Sequence, residues 1–360
     1  MRSKPWTHPS LAARIGDMSS TRVALVAGAN GIIGRKLVSH LRTLDGWEVL
    51  GLSRRGGPGS LAVDLLDPAG TRDALAGVGA THLFYAAYQD RPTWAELVPP
   101  NVAMLENLVN GLDEGPLEHV SLMQGYKVYG AHLGPFKTPA READAGQHMP
   151  PEFNVDQQKF LERRAAAGGW SWSAIRPSVV GGTTLGNPMN LALVIAVYAS
   201  ISKELGLPLR FPGKPGAYDS LLEMTDAQLL AEGTVWAATS SRNEAFNIAN
   251  GDLFRWRELW PKLAAYFDLE VAPPLQLPLS TVMADKEPLW DEMAAKHGLT
   301  ASYANVSSWA FGDFVFSWDY DMFADTSKSR RAGFHSYVDT EQMFYRLFDE
   351  FRREHVIPGR

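Results

Sequence analysis

The chain has 360 residues, 45% hydrophobic and 21% charged, the balance of a soluble globular protein that can bury one large α/β core or two smaller ones. Its net charge of −6, with no stripe of clustered Lys and Arg, argues against a nucleic-acid partner, since phosphate neutralisation needs concentrated cations. The absence of cysteine excludes disulfides, thiolate metal ligands and a cysteine nucleophile, and fits a reducing cytoplasm.

Residues 1–20 hold Arg2, Lys4 and Arg14 but no apolar segment, so they read as a disordered leader, or a stretch before a start at Met18, rather than a secretory signal. Arg22–Ala27 (RVALVA) then reads as a buried strand, Ile33–Leu44 as a helix and Glu48–Leu52 as a second strand. Leu61–Val63 is a short third strand, Thr71–Leu75 a helix and His82–Ala86 a fourth strand. Val102, Leu105, Leu108 and Val109 recur at helical spacing, which predicts a helix over Asn101–Leu112. His119–Met123 and Trp172–Arg176 are further strands, with a helix over Phe153–Ala167 between them. Strands alternating with helices imply right-handed βαβ units and a parallel sheet.

Beyond Arg176 the aromatics crowd, with Trp236, Trp256, Trp260, Trp290, Trp309 and Trp318, and a proline-rich turn at Pro273–Pro278 separates two helical stretches. The longest uncharged apolar run, Leu191–Ser202, falls short of the roughly 20 residues a bilayer span needs and reads as a buried core helix. No membrane partner is expected. The tryptophans, with Phe311, Phe314 and Phe316, are assigned to core rather than pocket, because aromatics dominate cores.

Between the first strand and the first helix lies Gly28-Ala-Asn30-Gly31-Ile32-Ile33-Gly34, a GxxGxxG spacing. Glycines there let the backbone turn tightly and approach a pyrophosphate, for which the helix N-terminus offers unpaired N–H groups and partial positive charge. The end of the second strand reads Ser53-Arg54-Arg55, where an NAD site would carry an acid for the ribose diol. Guanidiniums pair bidentately with phosphate, so the 2′-phosphate of NADP is the expected ligand. Asp64-Leu65, after the third strand, is a candidate contact for adenine. The expected fold is therefore α/β, a Rossmann-type doubly wound parallel sheet over residues 21–180 that binds NADP(H). A mostly helical C-terminal substrate cap, residues 181–358, has segments returning to the sheet. The histidines show no HExxH and no ligand spacing, and no G-x-S-x-G elbow is present, so a metal site and a serine hydrolase are not expected.

Several segments together resemble the progesterone 5β-reductase and iridoid synthase family, an atypical branch of the short-chain dehydrogenases. They are Gly28–Gly34, Ser53-Arg54-Arg55, Leu122–Tyr129 (LMQGYKVY), Leu133–Phe136, Arg176-Pro177, Met189-Asn190-Leu191, Leu209-Arg210-Phe211, Asn243–Asp252, Lys286–Trp290 and Ser327–Phe334. The resemblance spans residues 20 to 358 and implies an extended short-chain dehydrogenase fold. It implies an NADPH-dependent reductase that sends hydride to the β-carbon of an α,β-unsaturated carbonyl, with a small apolar enone or enal as substrate; a homodimer is compatible with it. Carried over by position, Lys127 matches the family's active-site lysine, Val180 a backbone contact to the nicotinamide carboxamide, and Asn187 and Met189 the nicotinamide and phosphate side. Ala86, Ala87 and Tyr88 follow the fourth strand, where the family lines the dinucleotide and then the substrate; Gln124 and Pro177 join the cofactor-facing set.

One position departs from the pattern. The family's catalytic tyrosine lies in a stretch N-F-Y-Y-D, and here the chain reads Glu152-Phe153-Asn154-Val155-Asp156. Direct alignment puts Asn154 in place of the phenol; a Y-x-x-x-K alignment puts Val155 there with Lys159. Ketone reduction needs a proton on oxygen, which a carboxamide does not supply. Conjugate reduction needs only stabilisation of enolate charge, which Lys127 and Asn154 can offer. Tyr88, Tyr126 and Tyr129 are candidate substitute phenols near the substrate. The alternative functions are a redox-neutral isomerase or cyclase on the same scaffold, and a non-catalytic NADP-binding sensor.

Overall fold

The computed structural model describes residues 21–113, 115–240 and 243–359, and the expected leader lies outside them. Among the described residues, eleven strands follow one another: β1 Arg22–Ala27, β2 Trp47–Ser53, β3 Ser60–Ala62, β4 His82–Tyr85, β5 His119–Met123, β6 Ser171–Pro177, β7 Val179–Gly181, β8 Leu209–Arg210, β9 Met224–Asp226, β10 Glu244–Ile248 and β11 Val271–Ala272. Seven of them build one sheet in the order β3-β2-β1-β4-β5-β6-β10. Every pairing in it is parallel. β7 with β9 and β8 with β11 form small parallel pairs beside it.

Among the described residues, fourteen α-helices accompany the strands. Those between the early strands are α1 Ile32–Leu41, α2 Pro68–Leu75, α3 Trp94–Asn110 and α4 Phe153–Gly168. The C-terminal half adds α5 Leu191–Glu204, α6 Pro215–Asp219, α7 Ala227–Ser240, α8 Trp256–Tyr266, α9 Leu279–Val282, α10 Glu287–His297, α11 Tyr303–Val306, α12 Trp309–Phe316, α13 Ser327–Arg331 and α14 Thr340–Arg353.

The apolar runs of β1 and β4 follow from burial on both faces. Leu25 and Leu83 meet Leu105, Leu108 and Leu161 of α3 and α4. Their neighbours Ala24, Val26 and Phe84 point the other way, onto Leu37 and Leu41 of α1 and Ala231 and Val235 of α7. The fold is a doubly wound Rossmann sheet with a helical C-terminal half, as the alternation of elements predicts. The return to the sheet is β10, paired beyond β6. α5 contains the whole Leu191–Ser202 run, buried from end to end. No helix among the described residues is long and apolar enough to cross a membrane.

Several boundaries differ from expectation, the start of α2 at Pro68 rather than Thr71 among them. α1 stops at Leu41 rather than Leu44, and α3 begins at Trp94, well before Asn101, with Pro99 and Pro100 inside it. Proline removes a backbone donor and normally breaks a helix. Here Thr93 caps the first turn, and the buried Asn101 steadies the next by donating Nδ2 to Leu97 O and Gln89 O, both at 2.8 Å. The aromatic core of the C-terminal half centres on Phe211, Trp256, Trp260 and Phe316, whose rings meet edge-on at 5.3 to 5.8 Å where Trp260 touches Phe211, Trp256 and Phe316.

α1 packs on the glycine loop so closely that a Cβ on Gly34 would stand 2.2 Å from Gly28 O. Gly34→Ala is therefore expected to destabilise the protein by about 2 kcal/mol through displaced backbone. Urea denaturation measures this, and an unchanged midpoint would show that the loop yields without strain.

Candidate active site

The sheet order reverses between β1 and β4, and the crevice beyond the carboxyl ends of the strands opens there. Gly28 leaves β1 with φ +79°, and a Cβ on it would lie 2.6 Å from Ala86 O, so the turn fits only a bare backbone. Gly31 caps α1 without a side chain, leaving the first-turn N–H groups uncovered by any capping oxygen. Asn187 closes over this loop: its Oδ1 accepts from Met189 N at 2.8 Å, and its Nδ2 lies 3.9 Å from where a Gly31 Cβ would stand.

Asn30 Nδ2 donates to Ser53 Oγ at 3.0 Å, and Ser53 Oγ donates to Gly56 O at 3.2 Å, which holds the turn after β2. Arg54 and Arg55 sit on that turn, exposed and, among the described residues, without ion pair or hydrogen bond. Asp64 is exposed and accepts from Leu66 N at 3.0 Å, while the Leu65 side chain is buried in the core and its carbonyl accepts from Asn107 Nδ2. A glycine turn with no room for side chains, an uncapped helix N-terminus and two unpaired guanidiniums fit a phosphorylated dinucleotide.

Next to this crevice is a cleft with about 1210 Å3 of empty space, partly open to solvent. Ile32, Ile33, Ala86, Ala87, Tyr88, Gln124, Tyr126, Lys127, Asn154, Pro177, Val180 and Met189 all line it. Lys127 comes from the short turn Tyr126–Tyr129 after β5, and its ammonium lies 5.2 Å from the Trp94 ring centroid and 5.9 Å from that of Tyr88. Burial lowers its pKa, and the charges of Glu152 and Asp90 oppose that shift. The two aromatic faces help keep the cation in place.

Asn154 stands in the first turn of α4 and faces the cleft, whereas Val155 packs on the hydrophobic core and Lys159 is exposed. The geometry thus puts Asn154, and not Val155, on the cleft. Its backbone N donates to Glu152 Oε2 at 3.0 Å and its Nδ2 donates to Glu152 Oε1. Glu152 is 0% exposed, and burial pushes its pKa up to about 7 against the hydrogen bonds of Asn154 and the charge of Lys127. Gln124 Nε2 donates to Asn154 O at 2.8 Å, fixing the helix start from the β5 side.

None of the candidate phenols is an unengaged donor. Tyr88 OH donates to Asp90 Oδ1 at 2.9 Å. Tyr126 presents its ring to the cleft, but its OH donates to the buried Glu223 Oε1 at 2.5 Å. Tyr129 turns away altogether: its OH donates to Asn247 Oδ1 at 2.6 Å and accepts from Arg176 Nη1 at 3.1 Å. It belongs to the polar network under the sheet ends rather than to a substrate surface. The far wall comprises Phe311, Phe314, Trp318 and Met322, and His132, packed on Trp94, also lines the cleft. Phe316 is core as expected, but Phe311, Phe314 and Trp318 are cleft. Neither His132 nor Glu152 stands out in sequence; their roles come from burial and neighbours.

Residues 72–358 match the family of the PRISE-like Rossmann-fold domain. Among curated relatives, an (S)-8-oxocitronellyl enol synthase of Camptotheca acuminata is 32% identical over 93% of both chains. The 3-oxo-Delta(4,5)-steroid 5-beta-reductase of Arabidopsis thaliana is 31% identical over 95% of both. Among solved structures, the UDP-glucose 4-epimerase of Thermus thermophilus in complex with NAD has a TM-score of 0.64 at 20% identity, covering 92% of this chain and 99% of that one. The GDP-mannoheptose C4 reductase of Campylobacter jejuni with NADP bound has a TM-score of 0.66 at 12% identity, covering 93% of this chain and 100% of that one. These two share the fold.

The Glu152 carboxyl is raised from 4.5 to about 7, so the folded state holds its proton more tightly than the unfolded state. Its contribution to stability is complete below about pH 4.5 and is lost as pH rises through about 7. The stability of Glu152→Gln relative to wild type should therefore rise by about 2 kcal/mol between pH 5 and 8. Urea unfolding across that range measures the difference, and a flat difference would mean the carboxyl is not perturbed.

Proposed function

The chain belongs to the PRISE-like Rossmann-fold family, and from that premise we propose that it is an NADPH-dependent reductase of α,β-unsaturated carbonyl compounds. The observation that carries this reading is Lys127 and Asn154 on one apolar cleft beside the dinucleotide crevice, with no unengaged phenol. When bound, the cofactor supplies the hydride that adds to the β-carbon. Ile32, Val180 and Met189 form the wall shared by crevice and cleft, and the apolar far wall holds the carbon skeleton.

As the β-carbon is reduced, negative charge moves to the carbonyl oxygen. Lys127 donates to that oxygen, and Asn154 offers the Nδ2 hydrogen that Glu152 does not take. A preorganised donor of this kind contributes about 3 kcal/mol to the barrier reduction. The α-carbon then takes its proton from water. A saturated ketone would instead leave an alkoxide that needs a proton at once, for which no phenol is in place. Relatives named for making an enol and for reducing a steroid at a Δ4,5 bond agree with chemistry that ends on the enol side of a conjugated carbonyl.

The cofactor prediction follows from the turn after β2. NADPH should bind more tightly than NADH, and replacing Arg54 and Arg55 together by Ala should weaken NADPH about tenfold or more. NADH affinity should hardly move, as read by fluorescence titration; equal losses for both dinucleotides would remove the 2′-phosphate assignment.

The reaction is tested by NADPH consumption with product identification. Wild type should reduce activated enones slowly and simple ketones negligibly. Lys127→Met should lower kcat about 100-fold with unchanged circular dichroism, while Asn154→Tyr should raise enone turnover. Efficient reduction of saturated ketones by wild type would sink this account of the site. If Asn154→Tyr lowers turnover, a redox-neutral isomerase or cyclase moves ahead, and NADPH binding without any turnover favours a sensor.

A further inference from the structure

Glu152 is buried away from the cleft, and Asn154, which bonds it twice, lines the cleft. One Glu152 oxygen accepts from Asn154 N at 3.0 Å and the other accepts from Asn154 Nδ2. Two accepting oxygens are the bonding of a carboxylate. A carboxylic acid in the same place keeps one acceptor for the backbone N–H and turns its other oxygen into a donor. Two donors cannot share a hydrogen bond, so the neutral acid fits Asn154 only with the amide turned over, Oδ1 toward Glu152 and Nδ2 toward the cleft. Neighbouring amides leave it free to turn: Gln124 Nε2 donates to the backbone carbonyl of Asn154 at 2.8 Å, and Gln157 Nε2 donates to Asn101 O of α3 at 2.7 Å.

The proton that decides between the two arrangements exchanges in the neutral range. Burial raises the Glu152 carboxyl to about 7, against the bonds from Asn154 and the charge of Lys127. Lys127 faces it from the turn after β5, and Asp90, which accepts from Tyr88 OH after β4, faces Lys127 in turn. Asp156, further along α4, accepts from Gln147 Nε2 at 2.9 Å. His132 is lowered to about 4 by burial and by the charge of Lys127, and stays neutral between pH 6 and 8. Glu223, behind Tyr126, is raised by burial to about 7 as well, so any test has to separate the two acids.

We propose that Glu152 is a positioning residue for the reaction: its proton sets which end of the Asn154 amide faces the carbonyl oxygen of the substrate. With Glu152 protonated, the amide turns its NH2 to the cleft and donates to the developing enolate. With Glu152 ionised, Nδ2 is held back and Oδ1 shares that face, where it opposes the same charge. Glu152 itself never touches the substrate. The inference deepens the reductase reading and rests on it for turnover, whereas its binding arm needs none.

Turnover of cyclohexenone at saturating NADPH is followed from pH 6 to 8 in wild type, Glu152→Gln and Asn154→Ala. One controlling proton near 7 should lower the wild-type kcat about tenfold between pH 6 and 8. Glu152→Gln should vary less than about twofold over that span, because its amide donates to Asn154 Oδ1 at every pH, as the protonated acid does. In Asn154→Ala the fall should shrink, which carries the test if Glu152→Gln does not fold by circular dichroism. A flat wild type overturns the proposal. A fall of wild-type size in Glu152→Gln assigns the proton to Lys127 or Glu223, and one in Asn154→Ala means that Glu152 acts by charge alone; either overturns it. If wild type turns over no enone, the reductase reading fails, and binding of dinitrophenolate to the NADP+ complex decides. This probe stays ionised throughout and mimics the enolate oxygen. It should bind wild type about tenfold more tightly at pH 6 than at pH 8, and Glu152→Gln equally at both. No difference in wild type, or the same ratio in Glu152→Gln, overturns the proposal.

Discussion

Arg176 lies one residue before the end of β6 with only 1% of its surface exposed, and its guanidinium reaches across the carboxyl ends of the sheet. Nε donates to Gln124 Oε1 at 2.8 Å, Nη1 to Tyr129 OH and to Glu142 O, and Nη2 to Gln158 Oε1 at 2.9 Å. A buried charge is tolerated only when its donors are satisfied, since desolvation alone costs several kcal/mol. Satisfying this one fixes the site. Gln124, held from one side by Arg176, holds the first turn of α4 from the other through Asn154 O. Tyr129, held by the same guanidinium, continues to Asn247 of β10. The position of Asn154 in the cleft is thus set by a cation that never touches the cleft.

Two buried carboxyls frame the same cleft from behind. Glu152 lies under Asn154, and Glu223 lies behind Tyr126, where it also accepts from Ala324 N at 2.7 Å. Burial raises both to about 7. The carboxamide of Asn154 is therefore anchored on one acid, and the phenol of Tyr126 is engaged as a donor by the other. Among the described residues, Lys127 is left as the one cleft-lining ammonium, held over aromatic faces rather than ion-paired with a carboxylate.

What is legible in the sequence is what is local. β1, the glycine loop and the start of α1 are contiguous, and their pattern of apolar and glycine residues dictates the backbone directly. Arg54 and Arg55 are legible for the same reason, because a turn after a strand exposes whatever it carries. The start of α3 escapes the pattern, since Asn101 offsets the proline interruption through bonds to Leu97 and Gln89 that no periodicity reveals. The direction of Tyr129 depends on Arg176 and Asn247, distant in the chain. Phe314 and Trp318 read as core because an aromatic residue looks the same in sequence whether it fills a core or walls a cleft. Glu152 lies in plain view beside Asn154, but its importance is a matter of burial, which a motif does not encode.

The strand β10 reaches the sheet only after the chain has built α5, α6 and α7. Until it arrives, β6 is an edge strand, although every one of its residues is buried in the finished fold. During synthesis the nucleotide-binding half therefore waits with an apolar, hydrogen-bonding edge open to any other strand. The long sequence separation between β6 and β10 delays its closure. The C-terminal half thus supplies the strand that seals the sheet, so neither half of the fold is closed without the other.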